Sequence, residues 1–187
     1  MQQAATELAT LVKTQIIAKG ATRVAVLNLG DASVTPDFRG LPAADKALLT
    51  QLSAEFNTAL SAGLSGAAVQ MIDARAIYAA FLANPVGFGI TNTTDAACDP
   101  AAISAITAGR VTSGSSLFCN AAAAALFTAA PPAGAGLPRS LNGLKTGASA
   151  STWYFADGVH PTTAGHRIFA DQVFAKLKEF DWIPANQ

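Results

Sequence analysis

Charge is scarce in this chain: Asp, Glu, Lys and Arg make up 13% of its 187 residues and cancel to a formal net charge of zero. Nucleic acids and anionic membranes are held through a surplus of Lys and Arg, so neither is expected as a partner. No apolar run reaches the ~18 residues of a membrane span. Met1 to Gln15 has no basic segment ahead of an apolar core, so no secretory signal is visible. With only two cysteines and two histidines, and no ligand-like spacing among them, a zinc site is not expected. Cys98 and Cys119 can form one internal bridge or remain two reduced core thiols. There is no internal repeat, and Gly30-Asp31 lacks the Lys and Ser or Thr that a phosphate-binding loop requires.

What the chain does have is apolar residues, 51% of the total, enough at this length for one domain with a sizeable core. Leu8, Leu11, Val12 and Ile16 fall at helix spacing, and Lys19-Gly20 ends that helix. Nothing at Met1 to Ala4 resembles an N-cap, from which an earlier start to the native domain is expected. Val24 to Leu29 is short, β-branched and almost wholly apolar, as buried parallel strands are. A helix follows over Ala44 to Leu64 with Leu48, Leu52, Phe56 and Leu60 on one face, then a strand over Ala68 to Ile72 and a helix over Asp73 to Leu82. Strand, helix, strand is one βαβ unit, so an α/β fold with a parallel sheet is expected. Two strands leave edges unpaired. A second copy of the chain, a strand improvised from the later region, or an absent N-terminal segment would complete the sheet, and self-association is the favoured expectation. From Asn84 to Ala150 periodicity fails apart from Ala121 to Phe127, which reads as a small helix. So long an irregular stretch is expected to be a functional, substrate-side insertion.

Asp157-Gly158-Val159-His160-Pro161-Thr162 sets a carboxylate three residues before an imidazole. A histidine acting as base needs its second ring nitrogen held by an acceptor, which an Asp on the same tight turn can supply. Gly158 is expected to let the turn close, and Thr162 or Thr163 to cap a helix over Thr163 to Glu179. Ile168, Phe169, Val173, Phe174 and Leu177 would form the buried face of that helix, with Lys176 and Lys178 suiting its C-terminal dipole. The plain alternative is that Asp157 makes a turn and His160 is a surface residue. His166, inside the helix, reads as a capping or surface group.

Phe155-Ala-Asp-Gly-Val-His-Pro-Thr162 followed by a small-residue and apolar helix resembles the last conserved block of the SGNH (GDSL) serine esterases and lipases, in particular secreted and autotransporter acylhydrolases. Gly20 to Leu29, then Asp31 and Thr35-Pro36, is similar to their fourth strand and its exit loop, and Phe56-Asn57 with Leu60 to the helix after it. The Gly-Asp-Ser-Leu, Gly and Gly-x-Asn-Asp blocks of that family are not found, so the likeness is to the later two thirds of such a domain. The resemblance implies a partial flavodoxin-like, SGNH hydrolase-like three-layer sandwich over 1–187, with Asp157 and His160 as triad members. It also implies a secreted or cell-surface location, and it puts a Cys98–Cys119 disulfide ahead of two free thiols.

Chemistry in parallel α/β folds collects at the carboxyl ends of strands. Ser33, in Gly30-Asp31-Ala32-Ser33 after the first strand, is therefore the candidate nucleophile, with Ser149 and Ser151 behind it. Asn28 is a candidate oxyanion donor, or else a residue that satisfies backbone groups. Two functions follow. One is a carboxylic-ester hydrolase acting on short-chain or lipid-like acyl esters, needing no metal or organic cofactor. The other is a non-catalytic remnant serving as a binding or assembly module. A homo-oligomer is expected in either.

Overall fold

The computed structural model describes residues 1–120, 122 and 142–184. The expected helix over Ala121 to Phe127 lies outside the described residues, residue 122 excepted. The chain is mixed α/β. Helix α1 (Gln2–Leu11) runs on through a π turn and a 3-10 turn to Gly20, whose positive φ of 98° ends it. Strand β1 (Ala25–Leu27), the short helix α2 (Pro36–Arg39), the long helix α3 (Ala43–Leu64), strand β2 (Gln70–Ile72) and helix α4 (Ala74–Ala83) follow. Strand β3 (Asn92–Ala96), helix α5 (Pro100–Ile106), a 3-10 turn (Ser116–Phe118), strand β4 (Trp153–Phe155) and helix α6 (Thr163–Glu179) come next, and two further 3-10 turns lie at Ala32–Val34 and Pro85–Phe88. They form two compact units, one of Met1–Ser33, Leu41–Ala83 and Ile168–Gln187, the other of Val34–Gly40 and Asn84–Arg167.

In the first unit β1 and β2 pair in parallel, Ala25 opposite Gln70 and Leu27 opposite Ile72, joined through α3 as the βαβ reading requires. The core is built where α1 meets α3: Ala5, Ala9 and Val12 pack with Phe56, Leu60, Leu64, Val24 and Val26. Each larger side chain among these contributes about 1.5–3 kcal/mol by burial. The packing face of α1 is Ala5, Ala9 and Val12, while Leu11 and Ile16, which share the helical spacing, are 54% and 42% exposed. Small residues let two helices approach closely, and a Cβ on Gly63 would lie 2.7 Å from that of Ala9. On α3 the buried face is correspondingly Ser53, Phe56, Leu60 and Leu64, while Leu48 is exposed. Strand β1 is not covered on both faces as its composition suggests. Alternation buries Val24 and Val26 and leaves Ala25 and Leu27 exposed.

The second unit holds elements that the sequence does not announce. Within 84–150, expected to be irregular, β3 pairs in parallel with β4, Asn92 opposite Trp153 and Ala96 opposite Phe155. The unequal spacing is a bulge. The Asn92 side-chain oxygen accepts the N–H groups of Thr94 and Asp95, both at 2.9 Å, folding the strand into a local turn. The ladder continues past the strand ends, with Ala97 N–H donating to Phe155 and Cys98 N–H to Ala156. Asp99 caps α5, accepting from Ala101 N–H at 2.8 Å with Pro100 as first helical residue. Cys98 and Cys119 are joined by a disulfide. The five residues expected on the buried face of α6 belong to the first unit: Ile168 is buried, whereas Phe174 is 41% exposed and carries the Lys178 ammonium 4.8 Å from its ring centroid. The remaining three are half-buried.

Gly165, at the start of α6, is required by close approach: a Cβ there would lie 2.7 Å from that of Pro161 and 2.9 Å from the Tyr154 carbonyl oxygen. Gly165→Ala is expected to destabilise the protein by roughly 1–3 kcal/mol through overpacking. Thermal unfolding measures this, and a variant that melts with the wild type would refute the contact.

Candidate active site

The turn after β4 is closed by its own backbone. Ala156 N–H donates to the His160 carbonyl at 2.8 Å, and Phe155 and Pro161 form an antiparallel bridge. Thr162, rather than Thr163, is the cap of α6. Its hydroxyl donates to the Trp153 carbonyl at 2.6 Å and accepts Gly165 N–H at 3.2 Å, so one buried side chain ties strand, turn and helix together.

Gly158 serves a different need from the expected one. Its φ is not positive; instead the carboxyl group of Asp37 occupies the space where a Cβ would stand. In helix α2 Pro36 has no N–H, Phe38 and Arg39 donate to the Thr35 carbonyl at 3.1 and 2.9 Å, and the N–H of Asp37 is given to the Gly158 carbonyl at 3.0 Å. Thr35-Pro36 thus starts a helical turn that braces the Asp157 to His160 loop.

Inside the loop, Asp157 Oδ1 accepts the N–H groups of Val159 at 3.1 Å and His160 at 2.8 Å, and Oδ2 accepts that of Ser116 at 2.9 Å. Burial alone would push this carboxyl up. The Ser116 hydroxyl and the backbone donors outweigh burial and hold it well below the usual carboxylate range. An ionised carboxylate only accepts. The His160 Nδ1, 2.9 Å from Oδ1 and 3.0 Å from Oδ2, therefore carries the proton. In the neutral ring Nε2 is left with a free lone pair, on a side chain 66% exposed beside a carboxylate only 10% exposed. The pair can accept a proton at Nε2 and stabilise the resulting imidazolium. Tyr154, in strand β4, is pushed up to about 12 by burial, so its phenol stays neutral.

The other expected residues are placed as follows. Ser33 and Asn28 lie in the first unit. Thr50 donates to Asp31 Oδ2 at 2.9 Å, which leaves the Thr50 oxygen to accept from the Ser33 hydroxyl at 3.1 Å. Burial pushes Asp31 up, but hydrogen bonds from Ser33 and Thr50 and the charge of Arg75 lower it on balance. The Asn28 side chain donates to Asp73 at 2.9 Å and accepts Ala74 N–H at 2.7 Å, closing the first turn of α4. Ser149 and Ser151 are bonded to each other at 2.7 Å rather than to His160. They line a cleft of about 550 Å³ with Asn142, Leu144, Thr163 and Arg167. His166 is exposed on α6. Among the described residues no three His, Cys, Asp or Glu side chains gather as a metal site.

Ser116 is the member of the site that sequence reasoning missed. Forty-one residues separate it from Asp157. The disulfide partner Cys119, three positions on, was the one available signal that this segment folds back.

Comparison with curated proteins gives no match. Residues 1–173 match the model of the GDSL-like Lipase/Acylhydrolase family, nearly the whole chain including the turn just described. The chain belongs to the GDSL-like lipase/acylhydrolase family.

Proposed function

We propose that this protein hydrolyses carboxylic esters, short-chain or lipid-like, with His160 as general base and Asp157 as the group that orients it. The observation that carries this is the bond from His160 Nδ1 to a buried, ionised Asp157, with the His160 side chain itself largely exposed. A base so held can take the proton of an attacking hydroxyl and return it to the leaving alkoxide, and neither step needs a metal or organic cofactor. Ser33 is the nucleophile candidate by its place after β1. Asn28 is the candidate oxyanion donor, through the amide hydrogen not committed to Asp73. The commitment of the Ser33 hydroxyl to Thr50, itself bonded to Asp31, favours a second version, in which His160 activates water directly and no acyl enzyme forms. The disulfide supports an exported, secreted or cell-surface protein read as a single SGNH hydrolase-like domain. Exposed Leu11, Ile16 and Leu27 support self-association, measurable as mass by light scattering.

The test is turnover of a p-nitrophenyl ester by the purified protein and its His160→Ala and Ser33→Ala variants. Activity that survives His160→Ala would sink the proposal. Activity lost with His160→Ala and kept with Ser33→Ala would select the water version. A wild type without any turnover would leave a binding or assembly module.

A further inference from the structure

The carboxyl torsion of an Asp is soft, with a broad two-fold profile, so an Asp that must aim at one ring nitrogen needs fixed donors on both of its oxygens. Within the turn, the backbone N–H groups of Val159 and His160 are both given to Oδ1. The donor on Oδ2 comes from the 3-10 turn Ser116–Phe118, through the Ser116 N–H at 2.9 Å, and the Ser116 hydroxyl bonds the same carboxylate. A three-residue 3-10 turn has little stability of its own. Leu117 at its centre is 77% exposed and Phe118 only half-buried, so apolar burial contributes little to it. Its far end is held covalently. The residue ending the turn is Cys119, bonded to Cys98, whose own N–H donates at 2.8 Å to the carbonyl of Ala156, the residue before Asp157. Gly143 packs behind it, where a Cβ would stand 3.0 Å from the Cys119 Cα. Ser116, Cys119, Cys98, Ala156 and Asp157 thus form a closed ring of bonds.

We infer that Ser116 is a positioning residue for the Asp157–His160 pair and that the Cys98–Cys119 disulfide holds it on Asp157. The inference rests on the acid–base reading of that pair.

The experiment follows the Asp157 carboxyl by carbon NMR titration alongside ester hydrolysis. Ser116→Pro removes both donors, while its fixed φ suits the first position of a short helix after Ser115, whose φ is −61° and ψ 129°. In this variant the Asp157 titration is expected to rise by about one to two pH units. Its kcat should fall about tenfold or more at unchanged KM. Ser116→Ala, which keeps the N–H and spares the backbone, should give a smaller rise, and Ser116→Thr should behave as wild type. The Cys98→Ala, Cys119→Ala double variant should move Asp157 in the same direction as Ser116→Pro. An Asp157 titration unmoved in Ser116→Pro and Ser116→Ala, while His160→Ala still abolishes hydrolysis, would overturn the role of Ser116 and leave the proposed function intact. A titration moved by Ser116→Pro but not by loss of the cysteines would overturn the role of the disulfide. A titration that moves as expected in a protein with no hydrolytic activity would overturn the acid–base reading itself.

Discussion

Asp157→Asn is expected to slow ester hydrolysis by about 10²–10⁴-fold while leaving the chain folded at neutral pH. Both carboxylate oxygens accept backbone N–H groups, those of Val159 and His160 on one side and that of Ser116 on the other. Whichever way an asparagine amide is turned, its NH2 must face one of these donors. Either the turn or the Ser116 contact is lost, and the surviving oxygen no longer holds Nδ1 from both sides. The negative charge that would stabilise a protonated ring disappears as well. The same variant carries a second signature. The Asp157 carboxyl lies below its ordinary range in the folded state, so it contributes stability above the unfolded value and loses that contribution as pH falls. The wild type should therefore lose stability on acidification below about 4, and the asparagine variant should be less stable at neutrality but flatter through that window. Steady-state hydrolysis and melting curves between about pH 3 and 7 measure both. Wild-type rates in the variant, or equal acid sensitivity in the two proteins, would contradict the assignment of Asp157.

The parts of this molecule that could be read ahead of its coordinates were those governed by local rules. Asp157 and His160 are three residues apart on one tight turn, so their meeting needs nothing from the rest of the chain. The helix over Thr163 to Glu179 has its cap and its apolar positions in one stretch. The β1, α3, β2 succession is likewise local in pattern. Strand β3 escaped notice because Asn-Thr-Thr-Asp-Ala has no apolar alternation. Its pairing is dictated by the partner strand and by the Asn92 turn, and neither is encoded as a period. Asp99-Pro100 did carry a readable helix start, obscured by the alanines and turn residues around it. The apolar spacing that marks α1 as a helix does not give its buried face, because the close approach of α3 selects alanine there. Ser116 illustrates the limit: a backbone N–H is present at every position except proline, and only the fold decides which one faces a carboxylate.

Loss of the cross-link should produce the largest change in stability. The Cys98→Ala, Cys119→Ala double variant is expected to be less stable by about 3 kcal/mol, because the bridge closes a loop with a sequence separation of 21 residues and so restricts the unfolded chain. For a protein of this size that corresponds to a fall in melting temperature of about 6–12 °C. Alanine rather than serine is the informative replacement, since Cys98 is 2% exposed and a hydroxyl there would add the cost of an unpaired buried polar group. The chain-entropy effect can be separated from lost packing by comparing the double variant with the wild type under reducing conditions, which keeps both sulfur atoms and breaks only the bond. If entropy dominates, the two proteins melt together, both well below the oxidised wild type. If the reduced wild type melts near the oxidised protein and only the double variant falls, the side chains are packing elements and the bond contributes little. In that case the segment carrying Ser116 would have to be held in place by the contacts around Gly143 and Ile103.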